Sequence, residues 1–260
     1  MAQLLIKKEG AIGRIVISNP KKLNAMTLAM WQEIPKVLKQ LDEDSAVRVI
    51  VIMGDGDKSF ISGADISQFD GLRDAEEAQL AFNRAVKEAY EAPILCSKPV
   101  IACIQGLCYG GGLGFAAACD IRICSDDSTF RMPAARLGLA YPLDGVKRFM
   151  DIIGAANTAD IFLSARPFNA VQALQMGFVS QVHPFEQFES LTSTYIQMVS
   201  ENAPLTMTAA KSAINHFLKG PSEGDVSQIN VLIESCYSSE DYSEGRKAFA
   251  EKRTPQFKGR

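Results

Sequence analysis

Four segments combine residue types that could do chemistry. The first is Gly106-Leu107-Cys108-Tyr109-Gly110-Gly111-Gly112-Leu113-Gly114-Phe115, which opens an apolar helical stretch from Leu113 to Cys119. Three consecutive glycines let a ligand approach the backbone closely. The first N–H groups of a helix lack intrahelical acceptors and lie at the positive end of its dipole. Such a turn can bind a phosphate or hold an oxyanion. The same glycines also suit close helix packing. No Gly-Lys-Ser/Thr follows them, so a P-loop is excluded. Gly112 to Ala117 matches G-x-G-x-x-A, the pattern of dinucleotide turns, although several residues separate it from the preceding apolar strand. An NAD- or NADP-dependent oxidoreductase would rest on that match alone.

The second segment, Ser59-Phe60-Ile61-Ser62-Gly63-Ala64-Asp65-Ile66, has a glycine that permits a tight turn and an aspartate that can cap a following one. Consecutive N–H groups there could aim at one point; a plain connecting loop is the other reading. The third, Asn19 to Met26, carries Lys21 and Lys22, which could meet a phosphate or merely decorate a solvated turn. The fourth, Phe130 to Gly145, offers Arg131, Arg136, Tyr141 and Asp144 in a Pro- and Gly-rich stretch suited to a binding loop. Its arginines could equally form surface or interface ion pairs.

Apolar runs mark the elements that must position these segments. Gly13 to Ser18, Val47 to Met53 and Pro99 to Gln105 read as strands, the last two covered on both faces. Between the first two, Thr27 can cap a helix that buries Met30, Ile34, Val37, Leu38 and Leu41. A second helix is expected from about Ala75 to Glu91. This alternation predicts βαβ units and a mostly parallel α/β sheet. After about residue 145 the pattern reads as successive helices, including 185–201, 205–219, 225–237 and 240–253.

Composition narrows the function classes. The chain has 260 residues, with 27 Lys+Arg against 30 Asp+Glu and a net charge of −3. That balance disfavours nucleic-acid binding, which wants a strongly basic face. No apolar run is long enough to suggest a transmembrane helix. The N-terminal residue order does not suggest a signal peptide, and Phe-Lys-Gly-Arg at the end is no peroxisomal or prenylation signal. A cytoplasmic location is therefore expected. Cys96, Cys103, Cys108, Cys119, Cys124 and Cys236 form no C-x-x-C pair, and only His183 and His216 could join them. Reduced core thiols, with no metal site, are expected.

Taken in order, the four segments resemble the crotonase (enoyl-CoA hydratase/isomerase) superfamily over nearly the whole chain. The N-P-K-x-L-N-A turn, F-I-S-G-A-D-I, P-V-I-A-x-I-x-G-x-x-x-G-G-G and the closing E-G-R-K-A-F-A-E-K-R carry the likeness. The resemblance implies a fold of repeated ββα units over residues 1–200 and a helical, trimer-forming region over 201–260. It implies an acyl-CoA substrate, no cofactor beyond the CoA moiety, and a homotrimer or a dimer of trimers. By motif position, the Ala64 and Gly111 N–H groups would hold the thioester oxygen. Lys21 and Lys22 would lie at the CoA phosphates, with Leu23 and Ala25 near the adenine. Phe249 and Lys252 would reach the CoA of a neighbouring subunit. Cys108 and Tyr109 would line the acyl pocket.

Two positions depart from the pattern. Hydratases of this family use two glutamates, and here their places hold Gly114 and Ala134. Adding water across a double bond needs a base and an acid, and neither residue can serve. The loop Gly138 to Gly145 resembles that of methylmalonyl-CoA decarboxylase, with Tyr141 in the tyrosine position, although that enzyme keeps a carboxylate at the Gly114 position. Tyr141 could orient a departing carboxylate or simply pack. Asp144 could replace the lost glutamates, cap a helix starting at Gly145, or pair with Arg148. Three outcomes stay open: hydratase or isomerase chemistry with substitute residues, decarboxylation of a malonyl-type thioester, or acyl-CoA binding without catalysis.

Overall fold

The computed structural model describes residues 2–65, 75–219 and 223–260. The apolar runs become strands, and the second and third are each followed by a shorter one that periodicity did not reveal. In chain order the first elements are β1 (Gln3–Glu9), β2 (Ile12–Ser18), α1 (Leu28–Glu43), β3 (Val49–Gly54), β4 (Ser59–Ile61) and α2 (Ala75–Leu95). Next come β5 (Val100–Ile104), β6 (Leu107–Tyr109), α3 (Gly111–Ala118), β7 (Ile121–Ser125), β8 (Thr129–Arg131) and α4 (Leu143–Ser164). The chain closes with β9 (Pro167–Asn169), α5 (Ala170–Gln175), β10 (Gln181–His183), α6 (Phe188–Ser200), α7 (Pro204–Lys219), α8 (Glu223–Tyr237) and α9 (Glu240–Glu251).

Two sheets result. The larger has the order β1-β2-β3-β5-β7-β10, parallel except for the β1–β2 hairpin. The smaller has the order β4-β6-β8-β9, with β4, β6 and β8 parallel. The pairs β3–β4, β5–β6 and β7–β8 each put one strand in each sheet before a helix follows. This is the ββα repeat. It also decides where chemistry can sit, because the loops leaving the parallel strands β4, β6 and β8 emerge side by side at one end. Those loops carry Ala64, Gly111 and Ala134.

Strand β3 shows why the central strands read as continuous apolar runs. Ile50 and Ile52 join the core under α1, α2 and α3, while Val49 and Val51 pack with Phe188, Ile196 and Val199 of α6. Helix α1 starts at Thr27, whose side-chain oxygen accepts from the Met30 N–H at 3.2 Å. Its expected apolar face is buried, with Trp31 added to it. Thr27→Ala should cost about 1 kcal/mol in urea denaturation, the usual worth of an N-cap. A wild-type midpoint in that variant would argue against the cap.

The region after residue 145 is not purely helical. β9 joins β8 antiparallel and β10 joins β7 parallel, so each sheet gains its last strand there. Both strands are only three residues long, too short for an alternating signal. Gly154, with φ 74 and ψ 164, divides α4 into two helical pieces. Helix α7 is fastened to the core by Lys211. Its Nζ donates to the carbonyls of Pro93 and Lys98 at 2.7 and 2.8 Å and to Asp120 at 2.7 Å. No helix among the described residues is long and apolar enough to cross a membrane.

Candidate active site

The Ala64 and Gly111 turns meet. Met26 N donates to Gly63 O at 2.9 Å and Asp65 N to Met26 O at 2.8 Å, so the bridge to Met26 uses the residues on either side of Ala64. Among the described residues the Ala64 N–H donates no backbone bond. Gly111 is the first residue of α3, where an N–H has no intrahelical acceptor. A Cβ placed on Gly111 would lie 3.9 Å from the Ala64 nitrogen. The turn into α3 depends on Gly110, whose φ of 53 and ψ of −116 suit only glycine. The gap between strand and glycines expected from sequence is filled by β6, which ends at Tyr109. Gly112 is a packing residue: a Cβ there would come within 2.4 Å of the Ile61 carbonyl.

Gly114 makes room for two phenols. A Cβ at that position would lie 2.3 Å from the Tyr141 hydroxyl and 2.5 Å from the Tyr90 hydroxyl. A Cβ on Gly145 would strike the Tyr141 ring at 2.3 Å. The two glycines therefore form a slot for Tyr141, whose ring packs edge-on against Phe149 and Phe162. Tyr90 donates to the Gly111 carbonyl at 2.8 Å and packs against Trp31 and Phe115. The Tyr141 hydroxyl and Trp31 Nε1 are buried with no hydrogen-bond partner among the described residues. Burial pushes the Tyr141 phenol above its ordinary value, against smaller opposing effects of the Tyr90 hydroxyl and Arg148. Burial raises Tyr90 further, so both phenols keep their protons at neutral pH. A cleft of about 410 Å³ adjoins Tyr141 and is lined by Ala134, Leu139, Met150 and Phe162 among others.

Sequence reasoning did not single out Tyr90, Trp31 or Arg148. The two aromatic residues lie on helices α1 and α2, and their meeting with the glycines is a tertiary contact. Arg148 entered only as a partner for Asp144. Its guanidinium lies 5.9 Å from the Tyr90 ring centroid instead.

Two readings of Asp144, as the helix cap and as a partner of Arg148, are corrected. Helix α4 starts at Leu143 with Pro142 as its N-cap, so Asp144 lies inside the first turn and caps nothing. It is exposed, and no ion pair joins it to Arg148 among the described residues. Arg131 Nε donates to the Ala165 carbonyl at 2.8 Å, and Arg136 is exposed. Cys108 and Cys119 are buried, and burial pushes both thiols up, Cys119 to about 12. Thiolate chemistry is disfavoured there.

The lysine turn is built by asparagines. The Asn24 side chain accepts from Asn19 N at 3.0 Å and donates to Ser59 O at 2.7 Å. Asn19 donates to Ala25 O at 2.9 Å. This holds Leu23 and Asn24 in left-handed backbone, with φ of 50 and 58. Lys22 Nζ reaches both Asp65 carboxylate oxygens at 2.9 Å, so this turn and the Ala64 turn are locked together. Lys21 and Leu23 are exposed and Ala25 is buried. Phe249 is 88% exposed on α9, and Lys252 ends that helix in left-handed backbone. Ile66 lies outside the described residues.

This architecture and site define an α/β protein whose Ala64 and Gly111 turns meet beside a buried aromatic cluster. Residues 7–260 match the enoyl-CoA hydratase/isomerase family model, and the chain belongs to that family. It is 30% identical over 250 residues to a short-chain-enoyl-CoA hydratase of Clostridium acetobutylicum, covering 96% of this chain and 95% of the relative. It is also 30% identical over 260 residues to a peroxisomal Delta(3,5)-Delta(2,4)-dienoyl-CoA isomerase of Arabidopsis thaliana, covering 96% and 93%. Among solved structures, an enoyl-CoA hydratase from Bacillus anthracis superposes with a TM-score of 0.92 at 26% identity, covering 99% of each chain. An enoyl-CoA hydratase/carnithine racemase from Magnetospirillum magneticum gives 0.91 at 29%, covering 100% and 97%.

Proposed function

We propose that this protein acts on acyl-CoA thioesters through an enolate held by the Ala64 and Gly111 N–H groups. We further propose that it forms the enolate by releasing CO2 from a malonyl-type thioester, not by hydrating a double bond. The carrying observation is the slot at Gly114, where two protonated phenols stand in place of a carboxylate. Decarboxylation needs no base. The bond between the α-carbon and the carboxylate breaks, and its electron pair becomes the enolate, with charge on the thioester oxygen. The two N–H donors stabilise that charge more than the starting carbonyl, which is what accelerates the step. The Tyr141 hydroxyl can donate to the carboxylate before the bond breaks. A proton from this phenol or from water then quenches the α-carbon.

The rest of the reading follows the family. Lys21 and Lys22 serve the CoA phosphates, Leu23 and Ala25 the adenine, and Phe249 and Lys252 the CoA of a neighbouring subunit. The exposed Phe249 supports such sharing. Residues 201–260 then form the assembly region of a cytoplasmic homotrimer or dimer of trimers on a core of 1–200. Asp144 takes no part; a carboxylate in a helix's first turn complements its dipole.

Tyr141→Phe should keep the fold and lower kcat for malonyl-CoA decarboxylation by about 10- to 100-fold, the worth of one hydrogen bond to a charged group. Steady-state kinetics with mass analysis of products tests this. Unchanged kcat would remove Tyr141 from the reaction. Binding without turnover across malonyl-, enoyl- and β-ketoacyl-CoA would leave acyl-CoA binding as the function.

A further inference from the structure

Among the described residues Arg148 is a half-buried cation with no carboxylate paired to it. Its contact among the described residues is with the face of Tyr90, at 5.9 Å from guanidinium carbon to ring centroid. The adjacent Lys147, by contrast, is paired with Asp151 at 2.6 Å. Arg148 also lies close enough to both phenols to favour their ionised forms, against the stronger effect of burial. Two more donors around Tyr90 make no hydrogen bond of ordinary geometry among the described residues: Trp31 Nε1 and the Tyr141 hydroxyl, which has the Tyr90 hydroxyl as its nearest polar neighbour at the Gly114 slot. Both border the first turn of α3. The Tyr141 hydroxyl crowds the Gly114 position, and Trp31 Cζ2, two bonds from Nε1, lies 3.2 Å from where a Gly111 Cβ would be. The polar groups around this turn are thus short of an acceptor. Buried donors are ordinarily satisfied by protein or water, and the carboxylate of a bound acyl group is an acceptor that fits this place.

We infer that Arg148 is a specificity residue that selects acyl groups bearing a free carboxylate, so that the substrate is the CoA monothioester of a dicarboxylic acid. The carboxylate would pair with the guanidinium and accept from the Tyr141 hydroxyl. A thioester carbonyl seated on the Ala64 and Gly111 N–H groups puts its acyl chain beside these phenols. The inference rests on the acyl-CoA reading above. It adds the residue that senses the substrate's charge and opens the choice of which carbon bears the carboxylate. Arginine suits the task because its planar fork matches a carboxylate and keeps its charge when partly buried.

The test is calorimetric binding of malonyl- and succinyl-CoA against propionyl- and butyryl-CoA, at short times with acyl integrity checked by mass. Wild type should prefer an anionic acyl group by about 10- to 100-fold over the neutral one of equal length. Arg148→Met, which keeps an apolar stem, should erase that preference and leave neutral thioesters bound within about twofold, since it removes only the charge. Preference in the malonyl pair places the carboxylate on the α-carbon; preference in the succinyl pair places it one carbon further. No preference in either pair, or a preference that survives in the variant, overturns the inference alone. Failure of all four thioesters to bind removes the acyl-CoA reading as well. Circular dichroism of Arg148→Met separates a lost preference from a lost fold.

Discussion

Gly114→Glu is expected to destabilise the protein by about 3 kcal/mol or more and to create no hydratase. The first side-chain carbon would already overlap the Tyr141 and Tyr90 hydroxyls, at 2.3 and 2.5 Å. Overpacking of this kind costs about 1–3 kcal/mol. The carboxylate would then have to enter an aromatic cluster of Trp31, Tyr90 and Phe115, where its desolvation costs several kcal/mol more and the nearby Arg148 offsets only part of that. The phenols cannot simply swing aside, because Tyr141 is wedged over Gly145 and Tyr90 is bonded to the Gly111 carbonyl. Ala134→Glu is different. Ala134 is half-buried beside the cleft, so the variant should fold, but one carboxylate supplies only half of the hydration chemistry. Urea denaturation and a crotonyl-CoA hydration assay check both variants. A Gly114→Glu protein with wild-type stability and brisk hydration would show that the slot is not committed to the tyrosines.

Gly111→Pro should lower kcat by about 100- to 1,000-fold while leaving most of the stability in place. The backbone N–H is the functional group here, and proline is the residue that deletes it. Proline is at home in the first position of a helix, where no intrahelical bond is lost. The position is snug, since a Cβ would approach Trp31 at 3.2 Å, so a small loss of stability is expected. Loss of one preorganised donor from an oxyanion site typically lowers kcat by this factor. CoA itself should bind as before, because the substitution leaves the proposed CoA contacts of the lysine turn unchanged. Steady-state kinetics, CoA binding and thermal melting together decide the matter. Full activity in a folded variant would take Gly111 out of the site.

How far the sequence reveals this molecule depends on the range of the interactions involved. The Val47 strand and the Thr27 helix were legible because burial on both faces and an amphipathic stripe leave local patterns. Three-residue strands such as β4, β6 and β9 leave none; they exist because neighbours in the small sheet pair with them. The three loops of the candidate site were recognisable by motif, and the parallel order of β4, β6 and β8 explains why they meet. The loss of both carboxylates was visible at Gly114 and Ala134. What fills the space was not. Tyr90 comes from the C-terminal half of α2, and only the fold brings its hydroxyl to Gly114. Gly145 looked like a helix start, yet it is small because Tyr141 lies across it. Asp144 looked like a cap because the helix was placed two residues late.

The most direct measurement incubates the protein with malonyl-CoA and, separately, crotonyl-CoA in D2O, with mass analysis of the thioesters. Release of CO2 and deuterium on the α-carbon of the product, with crotonyl-CoA left almost unhydrated, is the expected result. Rapid hydration of crotonyl-CoA with malonyl-CoA unchanged would contradict a site that makes its enolate without a carboxylate.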